Sequence, residues 1–352
     1  MKKTLVLKVN PETPNSENVR LAANIIRNGG LVAFPTETVY GLGADALNSR
    51  AVLALFWAKN RPLDNPPIVH VSSISDVYKL VREVPAKAER LMEIFWPGPL
   101  TLIFKRSEIV PDVTVASLDT IAVRMPKHNV ALALIKESGC PIAAPSANLS
   151  GRPSPTTAEH VLEDLYGRID AILDAGPTRI GVESTVLDLT VDPPQILRPG
   201  GTPYEALREV LGNVELHPAA IAEKELLINK ARSPGMKHKH YAPKAEMIVV
   251  EGELSAIVEK IRELTEEYKR NDVKVGVLAT NETSAYYQAD VVKSLGSRNN
   301  TADMARNLFR LLREFDMEKV DVIIAEGVPA QGLGLAVMNR IRKASGYNII
   351  KV

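Results

Sequence analysis

The sequence predicts an α/β protein of two domains joined by a polar linker. Its 352 residues exceed what one hydrophobic core usually organises. Strand-like and helix-like apolar patterns alternate along residues 1–213 and again along residues 245–352. Residues 214–244 carry turn residues and clustered bases without such a period. These observations predict a twisted, open α/β sheet domain, a linker, and a smaller Rossmann-like domain with a parallel, doubly wound sheet.

In the first domain, short apolar strands are expected to alternate with amphipathic helices. Val19, Ala22, Ala23 and Ile26 keep helical spacing, and the glycines at 29 and 30 end that helix. Ser49 is expected to cap the next helix, and residues 36–43 are expected to form a polar turn. A first strand is predicted at the N-terminus, and further strands are predicted at residues 31–35, 68–71, 100–104, 120–123, 141–144, 185–189 and 195–197. Helices are predicted at residues 16–27, 49–58, 85–95, 130–136, 157–165 and 204–211.

The second domain shows the same alternation in a shorter chain. Strands are predicted at residues 247–250, 273–278, 290–292, 320–325 and 348–351. Helices are predicted at residues 254–269, 302–315 and 335–344. Strands separated by helices favour parallel pairing, because each connection crosses the sheet.

Composition narrows the functional classes. The formal net charge is only +1, which gives no global electrostatic reason to bind nucleic acid or an anionic membrane. The single cysteine, Cys140, excludes an internal disulfide and a multi-thiolate metal site, and its apolar surroundings favour a structural thiol. No stretch approaches the length of a transmembrane helix. A reducing, cytoplasmic compartment is expected.

Several common catalytic motifs are absent from the sequence. It contains no Gly-Lys dipeptide, so a P-loop is excluded, and it contains neither H-E-x-x-H nor G-x-S-x-G. Residues 41–46 match G-x-G-x-x-A, but the first glycine lies five residues past the predicted strand rather than in a strand-to-helix turn. A second glycine-rich segment, residues 327–334, fits either an anion-binding turn or an ordinary tight connection.

Three groups of polar residues have both a functional and an ordinary structural interpretation. Lys59 and Arg61 follow a helix end, where cations complement the helix dipole, but two cations this close together also suit a polyphosphate. Ser146 and Asn148 follow an apolar strand, where they form either a common turn or a phosphate site at the sheet edge. Arg124 ends an apolar strand and therefore needs a carboxylate partner, from the protein or from a ligand.

Together these segments resemble the YrdC-like threonylcarbamoyl-AMP synthases in their longer, two-domain form. The resemblance extends over nearly the whole chain. In the first domain it rests on residues 35–42 (PTETVYGL), 59–62 (KNRP), 97–101 (PGPLT), 123–126 (VRMP), 144–151 (APSANLSG), 183–186 (ESTV) and 196–200 (ILRPG). Residues 239–243 (KHYAP) and 332–334 (GLG) match the longer subgroup.

The resemblance implies an open α/β sheet whose concave face holds ATP and threonine. It implies that the residues contacting ATP, its phosphates or the accompanying Mg²⁺ are Lys59, Arg61, Thr120, Ser146, Asn148, Arg198 and Tyr241. It implies that the residues contacting threonine are Thr36, His70, Arg124, Ala144 and Ser184, with Arg124 gripping the carboxylate. On residue type alone, His70 is equally well explained as a core histidine.

The implied reaction joins L-threonine, bicarbonate and ATP into L-threonylcarbamoyladenylate, with release of pyrophosphate and water. Positioning and cationic groups supply the rate, and no protein nucleophile is needed. Mg²⁺ is expected to enter with ATP, held mainly by the phosphates. The segment from Ser233 to Pro243, which includes His240 and Tyr241, is expected to close over the pocket as a lid, the alternative being a solvated connector. A separate transferase complex is the expected consumer of the product, for tRNA modification.

Three other functions remain as alternatives. A basic concave face suits an RNA-binding module, although the cations fall in tight motifs rather than in a stripe interleaved with aromatic residues. A carbamoyl-adenylate-forming domain of the hydrogenase-maturation type resembles the same fold, but its zinc-binding cysteine clusters are missing. A nicotinamide-dependent dehydrogenase ranks third. Tight tRNA binding and membrane association are not expected.

Overall fold

The computed structural model describes residues 3–14, 17–226, 232–233 and 240–352. These residues divide into two compact units. The first unit takes in residues 3–150, Ser154–Ala220 and 232–233. The second takes in Gly151–Pro153, Ile221–Leu226 and 240–352. The short segment Gly151–Pro153 therefore belongs to the second unit, although the chain on both sides of it belongs to the first.

The first unit is built on a mixed sheet, to which the described residues contribute eleven strands. The strands are β1 (Leu5–Lys8), β2 (Val32–Phe34), β3 (Gly41–Asp45), β4 (Val69–His70), β5 (Leu100–Lys105), β6 (Thr120–Arg124), β7 (Ile142–Ala143), β8 (Ala171–Asp174), β9 (Thr185–Asp188), β10 (Gln195–Arg198) and β11 (Glu215–Leu216). Their order across the sheet is β1-β8-β2-β3-β7-β4-β6-β5-β9-β10-β11. Most of the central strands are buried on both faces, which is why they appear in the sequence as short, continuous apolar runs.

Helices pack on this sheet through the apolar faces that the sequence predicts. They are α1 (Glu17–Arg27), α2 (Ser49–Lys59), α3 (Ile74–Leu80), α4 (Ala86–Phe95), α5 (Asn129–Ser138), α6 (Ala158–Leu165), α7 (Tyr204–Leu211) and α8 (Pro218–Ile221). The four residues that predict α1 are the four that it buries. Helix α2 begins one residue earlier than its expected cap implies, because the Asn48 side chain accepts from the backbone N–H groups of Arg50 and Ala51.

The second unit contains a five-stranded parallel sheet. Its strands are β12 (Glu246–Glu251), β13 (Val275–Ala279), β14 (Val291–Ser294), β15 (Val322–Glu326) and β16 (Ile349–Lys351), in the order β14-β13-β15-β12-β16. Helices α9 (Leu254–Arg270), α10 (Thr301–Glu318) and α11 (Gly334–Ala344) alternate with them. The predicted fold class, an open α/β sheet domain plus a smaller parallel α/β domain, is confirmed.

Several local expectations were wrong. Residues 41–43 lie in β3, an antiparallel partner of β2, rather than in a turn. Strand β8 and helix α3 were not predicted, because four and seven residues are too few for a clear period. Strand β11 and helix α8 fall at the start of the stretch expected to be linker. No helix among the described residues is long and apolar enough to cross a membrane.

Candidate active site

Three neighbouring strands in the middle of the first unit's sheet bring Arg124, His70 and Ala144 close together. Strands β4 and β6 are parallel, and their register places His70 opposite Arg124. Strand β7 runs antiparallel to β4 and pairs Ile142 with His70. Just past β7, the Ala144 N–H donates to the carbonyl of Ile68 at 2.8 Å. Residues that are up to 76 positions apart in the printed sequence thus become neighbours through strand pairing.

The Arg124 guanidinium is buried and has three contacts with the protein. Its Nε donates to the carbonyl of Gly98 at 3.1 Å, and Nη1 donates to Thr38 Oγ1 at 3.1 Å. Its Nη2 lies 2.8 Å from Glu37 Oε1, and both side chains of this ion pair are at most 6% exposed. The sequence required a carboxylate partner for Arg124, and Glu37 is the one that the protein itself supplies.

The segment between β2 and β3 contributes two threonines with different tasks. Thr36 Oγ1 donates to the carbonyl of Val39 at 2.7 Å and accepts from the N–H of Thr38 at 3.1 Å, so this hydroxyl closes its own turn. Thr38 is the threonine that reaches Arg124. Thr36 is the residue of this segment that the family resemblance implies as a threonine contact, and neither Thr38 nor Glu37 is among the residues predicted from the sequence. All three lie in the same motif, and only the turn decides which side chain faces the arginine.

His70 is buried, and its surroundings keep it neutral. Its Nδ1 lies 3.2 Å from the carbonyl of Ile68, and its ring meets Phe34 edge-on at 6.2 Å between ring centroids. Burial, with the nearby Arg124 charge as a second cause, lowers the pKa of His70 to about 3. A neutral imidazole suits recognition of a hydroxyl group. The structure is compatible with both sequence interpretations of His70, core residue and ligand contact.

Replacing His70 by glutamine should make the protein less sensitive to acid. The pKa of His70 is about 3 in the folded protein and 6.5 in a model peptide, so the unfolded chain binds the proton better between these values. The stability that depends on a neutral His70 is complete above the unfolded pKa and is lost as the pH falls below it, by up to about 1.4 kcal/mol per pH unit. Urea unfolding measures the free energy of unfolding at about pH 7 and at about pH 5. The decrease between these two pH values should be about 2 kcal/mol larger for the wild type than for His70→Gln. Equal losses would contradict the assigned pKa.

Ser184 and Arg198 meet on the neighbouring strands β9 and β10. Arg198 is buried, and its Nη2 donates to the carbonyl of Ser184 at 2.9 Å and to Ser184 Oγ at 3.2 Å. Ser184 Oγ also lies 2.8 Å from Thr101 Oγ1. The close approach of the two chains requires Gly200, where an added Cβ would lie 2.3 Å from the carbonyl oxygen of Glu183. The two motifs that carry Ser184 and Arg198 therefore form one packed corner.

Lys59 has a contact that neither sequence interpretation anticipated. Its side chain is 1% exposed, and its Nζ donates short hydrogen bonds to the carbonyls of Ser146 and Asn148. Asp164, on α6, accepts from the N–H of Leu149 at 3.2 Å. Burial, and secondarily Arg61, lower the pKa of Lys59 well below its usual value. Lys59 and Asp164 thus fix the turn that carries Ser146 and Asn148.

Arg61 is partly exposed and holds the loop that follows α2. Its Nε donates to the carbonyl of Asn65 at 2.9 Å, and its Nη2 donates to the carbonyl of Pro66 at 3.2 Å. The guanidinium carbon lies 6.0 Å from the centre of the Phe56 ring. The amide nitrogen of Asn148 donates to the carbonyl of Leu149 at 2.8 Å. The expected contacts of Arg61, Ser146 and Asn148 with phosphate stay predictions.

Thr120 and Tyr241 are two further expected ATP contacts. Thr120 is the first residue of β6 and Arg124 the last, which separates them by about 13 Å along the strand. Tyr241 belongs to the second unit, where its ring lies 5.2 Å from Phe309 and 5.4 Å from the Arg340 guanidinium carbon. Its φ of 65° is in the left-handed region. Most of the expected lid, residues 234–239, lies outside the described residues.

The described part of the chain contains no group of three or more His, Cys, Asp or Glu side chains placed to hold a metal ion. The polar groups around Arg124 are instead hydroxyls, a neutral imidazole and the Glu37 carboxylate. The groups around Ser146 are the cations Lys59 and Arg61. Such groups suit an anionic substrate and an amino acid, and they fit a substrate-positioning enzyme of the α/β class.

Comparison with known proteins places the chain within this class. Residues 24–200 match the Sua5/YciO/YrdC family model, described as "Telomere recombination". Residues 202–346 match the model described as "Threonylcarbamoyl-AMP synthase, C-terminal domain". The chain belongs to the threonylcarbamoyl-AMP synthase family, a family of enzymes. The resemblance that the motifs indicate is therefore confirmed.

The similarity extends to whole proteins. The chain is 54% identical to the threonylcarbamoyl-AMP synthase of Pyrococcus abyssi, over 99% of this chain and 100% of that one. It is 51% identical to the enzyme of Bacillus subtilis, over 96% and 95% of the two chains. The crystal structure of P. abyssi Sua5 complexed with L-threonine superposes with a TM-score of 0.94 at 54% identity, covering 99% of this chain and 100% of that chain.

Proposed function

We propose that the protein joins L-threonine, bicarbonate and ATP into L-threonylcarbamoyladenylate, releasing pyrophosphate and water. The observation that carries the proposal is the buried Arg124 guanidinium, whose residue pairs with His70 on the neighbouring strand. A buried arginine with a planar set of donors suits the carboxylate of a small amino acid. The family membership of the chain and its likeness to a threonine-bound relative support threonine as that amino acid.

The chemistry explains why the site is rich in cations and has no need of a protein nucleophile. The amine of threonine first forms a carbamate with carbon dioxide derived from bicarbonate. A carbamate oxygen then attacks the α-phosphorus of ATP, and the bond to the pyrophosphate leaving group breaks. Fixed cations offset the negative charge that builds up on the phosphates, and the protein holds the two unstable reactants together.

On the amino-acid side, Arg124 holds the carboxylate. His70 forms a hydrogen bond with the threonine hydroxyl, either as donor or as acceptor. The main chain at Ala144 and the side chain of Ser184 complete this side of the site, and Thr36 shapes it through its turn. These residues lie on adjacent strands or their ends, so strand pairing fixes their separations. Sites built on strands are positioned more accurately than sites on loops.

On the nucleotide side, Arg61 and Arg198 neutralise the phosphates, and Ser146 and Asn148 contact phosphate or its metal ion. Lys59 acts indirectly, because it fixes the turn that carries Ser146 and Asn148. Mg²⁺ enters with ATP and supplies further neutralisation of the phosphates. Thr120 and Tyr241 are proposed as more distant contacts of the nucleotide.

Further features of the proposal concern water, partners and location. Residues 233–243 act as a lid that keeps water from a labile carbamate; residues 234–239 of this segment lie outside the described residues. The product passes to a transferase complex that modifies tRNA. The protein works in the cytoplasm.

Pyrophosphate release should depend on both small substrates at once. The assay contains ATP and Mg²⁺, and threonine and bicarbonate are omitted in turn. Release is expected only when both are present, because the carbamate that attacks ATP contains atoms from each. Carbon dioxide must be removed from the buffer used without bicarbonate. Equal release after either omission would rule out the proposed reaction.

A further inference from the structure

We infer that Glu37 binds the α-ammonium group of the amino-acid substrate, next to the Arg124 that binds its carboxylate. The inference rests on the proposed function and adds a residue that discriminates α-amino acids from molecules without an amine. It starts from the geometry of one buried carboxylate.

The main chain fixes the position of Glu37. The residue lies between β2 and β3, and its carbonyl accepts from the N–H of Ile180 at 2.8 Å. Its side chain is 5% exposed and points at the Arg124 guanidinium. Because backbone and side chain are both confined, the carboxylate has a fixed position relative to Arg124.

The Glu37 carboxylate lacks hydrogen bonds despite its close ion pair. Oε1 lies 2.8 Å from Arg124 Nη2, but not in line with an N–H bond. Among the residues that the structure describes, neither carboxylate oxygen accepts a hydrogen bond, and Arg124 Nη2 donates none. Buried polar atoms are nearly always hydrogen-bonded. The two charges compensate each other, but the unused donors of Arg124 Nη2 and the unused acceptors of Glu37 still carry a cost. Such a pair is suited to a ligand that supplies donors to one partner and acceptors to the other.

An α-amino acid carries both complements on a single carbon atom. Its carboxylate offers acceptors to Arg124, and its ammonium offers three N–H donors to Glu37. The neighbouring hydroxyls are already engaged, since Thr36 closes its turn and Thr38 accepts from Arg124. Glu37 is therefore the acceptor in this segment that remains for the substrate.

This contact also serves the proposed reaction. The ammonium must lose a proton before its nitrogen can form a bond to carbon dioxide, and the Glu37 carboxylate beside it can accept that proton. Two charged contacts also fix the orientation of the α-carbon better than one. Glu37 thereby acts as a specificity-determining residue. Analogues that keep the carboxylate but lack the amine bind more weakly, because they cannot make this contact.

Calorimetry with two ligands tests the assignment. L-threonine has the ammonium, and 3-hydroxybutanoate has the same carbon skeleton and hydroxyl without it. In the wild type, threonine should bind much more tightly. In Glu37→Gln, threonine affinity should fall by roughly 10- to 100-fold, as expected for loss of a charge-assisted contact. Affinity for 3-hydroxybutanoate should change by no more than about twofold.

The ratio of the two affinities separates this role from a merely structural one. If Glu37 only orients Arg124, the Gln variant will lose affinity for both ligands equally, and the wild-type ratio will survive. A preserved ratio overturns the inference.

Glu37→Asp keeps the charge and should therefore retain more of the preference for threonine than Glu37→Gln. Near-ultraviolet circular dichroism of both variants establishes that they fold. If the wild type releases pyrophosphate in a threonine-dependent way and Glu37→Gln keeps the wild-type ratio of affinities, only this inference is overturned. A wild type that neither binds threonine nor releases pyrophosphate overturns the proposed function as well.

Discussion

Arg124→Lys should weaken threonine binding by roughly 30- to 1000-fold, which corresponds to about 2–4 kcal/mol. Lysine keeps the positive charge, but it lacks the planar arrangement of donors that grips a carboxylate with two parallel bonds. It also cannot reproduce the separate bonds from Nε to Gly98 and from Nη1 to Thr38 that orient the guanidinium. Calorimetry with threonine, without nucleotide, measures the effect.

A matched control is available within the same unit. Arg106 also pairs with a carboxylate, that of Asp112, but it lies outside the candidate site, and Asp112 is exposed. Arg106→Lys should leave threonine affinity unchanged within about twofold, because exposed ion pairs contribute little. If Arg124→Lys folds and binds threonine like the Arg106→Lys control, the substrate carboxylate is held elsewhere.

Lys59→Met should lower both the stability of the protein and its affinity for ATP. Methionine fills the space of the lysine stem but cannot donate to the carbonyls of Ser146 and Asn148. Two buried carbonyls without donors should cost about 2–5 kcal/mol of unfolding free energy. The loosened turn should then reduce ATP affinity at least about 10-fold. Denaturant unfolding and ATP calorimetry measure the two effects.

Arg61→Ala provides the contrast, because Arg61 is partly exposed and donates to two carbonyls of its own loop. It should reduce ATP affinity by about 1–3 kcal/mol while changing the unfolding free energy much less than Lys59→Met does. A Lys59→Met variant with wild-type stability would contradict the turn-fixing role. Wild-type ATP affinity in Arg61→Ala would remove that residue from the phosphate site.

The long helices and the second sheet follow from local patterns. The period in α1 fixes its buried residues Val19, Ala22, Ala23 and Ile26, since the apolar residues of an amphipathic helix fall on the one face that packs against the core. Alternation of strands and helices likewise fixes parallel pairing in the second unit. Strand β3 was missed because its glycines resemble turn residues, and its strand geometry comes from pairing with β2 and β7.

The sequence by itself determined the fold class, the family and the motifs that contain the site, because these depend on residue type and spacing along the chain. The tertiary structure alone decided the contacts of individual side chains. It directs Lys59 to a turn some 90 residues away in sequence, and it places Thr38 and Glu37, rather than Thr36, against Arg124. The reason is physical: a buried charge takes the partners that strand pairing and chain packing bring within about 3 Å, and those partners are distant in sequence.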